Sequence, residues 1–189
     1  MEIPLTTSRS DDLKDFRSPD LTISRLFDLP TSRPPDLTEF MSEHKATIHW
    51  ARDGKNFGIK TYSRDHVWRF DNGVEVPASA TPAYLGNPER VDPEGALVAA
   101  LSSCHMLTFL ALAANKGFVV DSYEDRAVGT LEKNPQGKLA VTRVELHPKI
   151  VFSGTKTPTS ADMEWLHDKA HRECFIANSV TTEVRVVTE

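Results

Sequence analysis

Cysteine is scarce in this chain: there are two in 189 residues, Cys104 and Cys174. Positive charge is not in excess either, with 22 Lys and Arg against 27 Asp and Glu and a net charge of −5. No basic stripe runs alongside the aromatic residues, which disfavours a nucleic-acid partner. The first residues show no basic start followed by an apolar run, so no secretory leader is expected. Two cysteines without an export signal point to a reducing compartment, the cytoplasm. There a cysteine pair is more often catalytic, redox-active or metal-binding than a permanent staple. Internal repeats are absent. One apolar run approaches the length of a bilayer span, but Ser102, Ser103, His105 and Thr108 interrupt it. It reads as a buried core helix, and no membrane partner is expected.

That run, from Val91 to Gly117, organises the chain. Asp92 is placed to be an N-cap, and Pro93 occupies the first helical position, where its missing N–H costs nothing. Glu94 suits the positive end of the helix dipole, and Gly117 suits a C-terminal cap. Because residues 96–114 are apolar on nearly every side, the helix is expected to be buried all round.

Ahead of it, residues 1–41 gather five of the twelve prolines among Ser, Thr, Asp and Arg. They read as an extension that is disordered or loosely docked, with the folded domain at 42–189. Alternation from His44 to Trp50 predicts a strand, Asp53-Gly54-Lys55-Asn56 a turn, and Phe57–Tyr62 the returning strand of a hairpin. His66–Phe70 and Val74–Val76 read as short strands, and 77–90 as a loop. Val119–Glu132 and Leu139–Phe152 read as strands joined at Asn134-Pro135-Gln136-Gly137, with Pro148 marking an edge or bulge. Thr159 and Asp162 resemble a capping box for a second helix over Ser160–Glu173. Met163, Leu166, Ala170 and Cys174 share one stripe of it. Thr182–Val187 is a last strand.

Cys104 has two readings. Amid apolar neighbours it is a small buried hydrophobe. As a nucleophile it must ionise, and a thiol in such surroundings needs a cation beside it. His105 is adjacent in sequence, but successive helical residues point about 100° apart. An arginine from the preceding strands is the better candidate, because it stays charged and can also hold an oxygen of a substrate. Cys174 is core packing at a helix end or a second redox thiol. A zinc site from Cys104-His105 and His171-x-x-Cys174 is a third reading, though adjacent Cys-His is poor ligand geometry on a helix. No metal or cofactor is expected. Glu94 stands about 15 Å along a straight helix from Cys104. It can reach that sulfur only from an antiparallel copy in another subunit. His49, His66, His147 and His167 read as surface or strand histidines.

Pro93-Glu94 followed by Ala99-Ala100-Leu101-Ser102-Ser103-Cys104 resembles the central helix of the OsmC/Ohr family, the osmotically inducible and organic-hydroperoxide-resistance proteins. Ala170-His171-Arg172-Glu173-Cys174, with Ile176-Ala177-Asn178-Ser179, resembles that family's second-cysteine motif. The resemblance runs from about Glu43 to the C-terminus. It implies an α+β, OsmC-like fold, with two central helices wrapped by antiparallel sheets in an intertwined homodimer. It also implies a thiol peroxidase that reduces organic hydroperoxides to alcohols through a Cys104–Cys174 disulfide. A dithiol reductant, a lipoylated protein among the candidates, would reopen that disulfide. Carried over residue by residue, Cys104 is the peroxidatic thiol, Cys174 the resolving thiol and Glu94 the active-site carboxylate. Arg52, in Trp50-Ala51-Arg52-Asp53-Gly54, is favoured as the arginine, with Arg64 and Arg69 as alternatives. Phe175 departs from the proline common after the second cysteine, and Ser102-Ser103-Cys104-His105 departs from the better-studied branches. A binding module of the same fold, with an apolar pocket at a dimer interface and unreactive thiols, is the alternative.

Overall fold

The computed structural model describes residues 42–54 and 56–188. The expected extension, 1–41, lies outside the described residues. The long helix, α1, spans Pro93–Asn115. Asp92 caps it by accepting the Gly95 N–H at 2.8 Å, a bond worth about 1 kcal/mol in such positions. At the other end Gly117 takes a left-handed φ of 75°, and the Gly117 and Phe118 N–H groups return to the Ala114 and Ala113 carbonyls. The second helix, α2, spans Ser160–Glu173 and begins with the expected capping box, in which Thr159 and Asp162 satisfy each other's backbone N–H.

Among the described residues the strands form three sheets. In the first, β1 (Ala46–His49), β2 (His66–Phe70) and β3 (Glu75–Ala78) lie side by side, antiparallel. The second pairs β4 (Val119–Asp125) with β7 (Pro148–Ser153). The third holds β5 (Val128–Lys133), β6 (Leu139–Leu146) and β8 (Glu183–Val186). The β6–β8 pair is parallel, an exception to the antiparallel expectation.

The two long strands expected after α1 are in fact one bent ribbon. It breaks at 126–127 and at His147, so that its two halves belong to different sheets. Asp125 pins the bend. One of its carboxylate oxygens accepts the Ser102 hydroxyl of α1 at 2.5 Å and the other accepts the His147 N–H at 2.6 Å. Another expectation fails at Phe57–Tyr62, which is no strand; β1 takes β2 as its partner, with Ala46 opposite Phe70. The Thr61 and Tyr62 N–H groups bond to the Gly58 carbonyl, and the Thr61 hydroxyl donates to Asn56. These local turn bonds use up groups that a ladder would need.

Two apolar clusters flank α1. Phe109, Leu112 and Ala113 pack with Phe118, Leu166 and Ala170 between the helices and the β4–β7 pair. Leu101 packs with Val144 and Leu146 of β6. Within one chain the helix is not buried all round. Ala99, Ala100 and Ser103 are open, and Leu107 is 59% exposed. Ser79, just past β3, ties that sheet to the residues leading into α1 through its N–H to Val91.

Candidate active site

The helices α1 and α2 run antiparallel. Lys116 meets Asp162, Phe109 meets His167, and Cys104 meets Cys174. This register, set by the apolar packing between the helices, brings two thiols seventy positions apart in sequence near enough for one to bear on the other. Both are free cysteines; Cys104 is half-buried and Cys174 is buried. Burial first, and the Cys104 thiol beside it second, push the Cys174 thiol up to about 11. Cys174 sits just past the last turn of α2, where its sulfur accepts the Ala177 N–H at 3.4 Å.

One turn away lies a cluster that the sequence reading missed. His105 and His167 are 1% and 5% exposed, with ring nitrogens 3.2 Å apart and ring planes within 10°. His167 had been read as a surface or strand histidine, but its ring packs 4.7 Å from Phe109 in the helix interface. Burial, reinforced by His167 and then His171, holds His105 down at about 4. Burial also lowers His167, against the pull of Asp168 and Asp125. The signal was present in the spacing: His167, His171 and Cys174 follow each other at helical intervals along α2. No three His, Cys, Asp or Glu side chains among the described residues are arranged to hold a metal ion.

A second group lies at the start of α1. Glu94 and Arg64 line a cavity of about 530 Å³ walled by Ile48, Trp50, Phe57, Tyr62 and Tyr84. The Arg64 guanidinium lies 4.0 Å from the centre of the Tyr62 ring and donates to the Tyr62 and Ile59 carbonyls at 2.7 and 2.6 Å. Trp50 fixes the adjoining loop by donating its ring N–H to the Ser63 carbonyl at 2.7 Å. Arg52 is exposed and is not part of this wall. Arg69 pairs with Glu75 across β2 and β3 at 2.5 Å, on an exposed surface. The chain therefore assembles Cys104 with Cys174, and Glu94 with Arg64, at separate places.

Residues 86–189 match the sequence profile of the family described as OsmC-like protein. An OsmC-like protein of unknown function from Vibrio cholerae is 51% identical, with a TM-score of 0.76 over 79% of this chain and 100% of its own. The chain belongs to the OsmC-like family. Two more distant solved structures share the OsmC-like fold. An organic hydroperoxide resistance protein from Elizabethkingia anophelis, with thiocyanate bound, is 20% identical with a TM-score of 0.61, covering 79% of this chain and 96% of its own. The organic hydroperoxide resistance protein OhrB of Bacillus subtilis is 15% identical with a TM-score of 0.55, covering 78% of this chain and 98% of its own. No curated protein matches the chain.

Proposed function

We propose that this OsmC-like protein is a thiol peroxidase that reduces organic hydroperoxides to alcohols. The placement of the two free thiols as neighbours across the helix pair, with Cys104 raising the Cys174 thiol, carries this reading. It agrees with the names of two fold relatives, both organic hydroperoxide resistance proteins. In this reading the Cys104 thiolate attacks the peroxide oxygen, the O–O bond breaks and an alcohol leaves. Cys174 then attacks the Cys104 sulfenic acid, giving a disulfide and water. A dithiol, such as that of a lipoylated protein, reopens the disulfide by exchange.

The arginine role goes to Arg64, because it shares a cavity with Glu94. Arg52, favoured from the motif after the first strand, has no such neighbour in that wall. The aromatic wall suits a bulky apolar peroxide, whose polar end the guanidinium would hold.

The working unit is a homodimer. Glu94 stands about 15 Å along α1 from Cys104, so one chain does not complete the site. A second copy, laid antiparallel on the open face of Ala100, Ser103 and Leu107, would bring its Arg64 and Glu94 to these thiols. The cytoplasm is the setting this chemistry needs, since it supplies reduced dithiols.

Counting free thiols before and after one equivalent of cumene hydroperoxide tests the reading. Rapid loss of both thiols, with one cumyl alcohol formed per chain, is expected. Two intact thiols would refute it and leave the alternative, a binding module using the same apolar cavity.

A further inference from the structure

Two ring nitrogens are left over in the helix interface. The Nδ1 atoms of His105 and His171 are both buried and both lack a hydrogen-bond partner. A buried polar atom left unpaired is costly, and two in one small cluster are two such costs. Their positions relate directly to the thiols. Cys174 follows His171 by three residues, and its N–H still bonds to the His171 carbonyl at 3.3 Å. Residues three apart on a helix lie on one side of it. From the facing helix, His105 directly follows Cys104 and lies near enough to His171 for the charge of one to bear on the other.

Closing a disulfide here poses a proton problem. Cys174 must attack as a thiolate, yet burial and the neighbouring thiol keep it protonated. Within one chain, the other titratable groups around the cluster are committed, and the arginine and carboxylate that a second copy would add are assigned above to the peroxide and Cys104. Asp125 accepts from Ser102 and His147, Lys169 pairs with Glu173, and the Tyr123 hydroxyl is itself held protonated by burial. His105 and His167 share one hydrogen bond, and Asp168 bears on His167 from the outer side. His171 is the remaining base in the turn that carries Cys174.

We infer that His171, backed by the buried His105–His167 pair, takes the proton of Cys174 as the disulfide closes and returns it to the departing hydroxide. This rests on the peroxidase reading above. The step balances. The Cys174 S–H and Cys104 S–O bonds break, the S–S bond forms, and hydroxide leaves as water with the proton that His171 held. The sulfenic sulfur is reduced as the Cys174 sulfur is oxidised, so no further reactant is needed.

The test follows the two thiols separately after one equivalent of cumene hydroperoxide, by quenched-flow thiol counting between pH 6 and 9, with dimedone trapping of the sulfenic acid. In His171→Asn the first thiol should disappear at the wild-type rate. The second should disappear at least about tenfold more slowly, with dimedone adduct accumulating. Its rate should then climb about tenfold per pH unit, because only hydroxide from solvent remains to ionise Cys174. The wild type should climb less steeply. His171→Gln serves if the asparagine chain does not fold. A second step in the variant with the wild-type rate and pH profile overturns the inference and leaves the peroxidase reading intact. So does a tenfold climb per pH unit in the wild type itself. Failure of the wild type to lose either thiol sinks both.

Discussion

Acid should weaken this fold through His105, by an amount that the structure sets. The ring is 1% exposed and wedged between helices, and its folded value of about 4 lies well below the 6.5 of an exposed histidine. The unfolded chain therefore binds a proton at a pH where the folded chain does not, and stability must fall as pH drops through this window. One pKa unit corresponds to 1.36 kcal/mol, so the full loss is about 3 kcal/mol, reached below pH 4. About 2 kcal/mol of it should be gone between pH 7.5 and pH 5. Lowering of His167 acts in the same direction. Urea unfolding at pH 7.5, 6 and 5, at one fixed protein concentration, measures this directly. His105→Gln is the control, because it keeps a polar partner for His167 but does not titrate. The wild type should lose about 2 kcal/mol more than the variant over that range, and carboxylate effects cancel in the difference. Equal pH slopes for the two chains would refute the reasoning.

The remaining predictions concern the site and its assembly. Cys104→Ser should abolish hydroperoxide consumption, whereas Cys174→Ser should allow one oxidation and then stall, read as one lost thiol and a dimedone adduct. Arg64→Ala should lower kcat/KM about 100-fold or more, the scale of losing a charged donor at a reacting oxygen. Arg52→Ala should stay near wild type, and Arg69→Ala should lose only an exposed ion pair with Glu75, worth under about 1 kcal/mol. Equal loss in Arg52→Ala would return the role to Arg52. Light scattering should give twice the chain mass, and Leu107→Glu, at an open position on α1, should split the dimer and abolish turnover together.

Much of this could be read from local signals. Asp92, Pro93 and Gly117 mark the ends of α1, and Thr159 with Asp162 starts α2, because caps are chosen by the few residues beside them. The ribbon's bend was not legible, since Asp125 owes its role to Ser102 and His147, each more than twenty positions away. The false strand at Phe57–Tyr62 alternates well enough, but Gly58 and Thr61 bond to each other in a turn. The two cysteines were recognisable from their motifs, while their meeting depends on a helix register that spacing alone does not give. The arginine was the least legible. Arg52 and Arg64 both follow the first strand, and only the folded loop between them sets Arg64 on Tyr62 and in the cavity that Glu94 also lines. His167 was misplaced because a lone histidine carries no mark of burial; its stripe with His171 and Cys174 did.

The distance in sequence between the two thiols also has a consequence while the chain is being made. Translation proceeds at about 5–20 residues per second, so Cys104 emerges roughly 4–14 s before Cys174. During that interval no helix α2 exists to cover it and no second thiol can answer an oxidised first one. A nascent chain oxidised at Cys104 in that interval would hold no second thiol with which to close a disulfide. In the peroxidase reading proposed above, new copies synthesised under oxidative stress rely on those already folded to clear the peroxide around them.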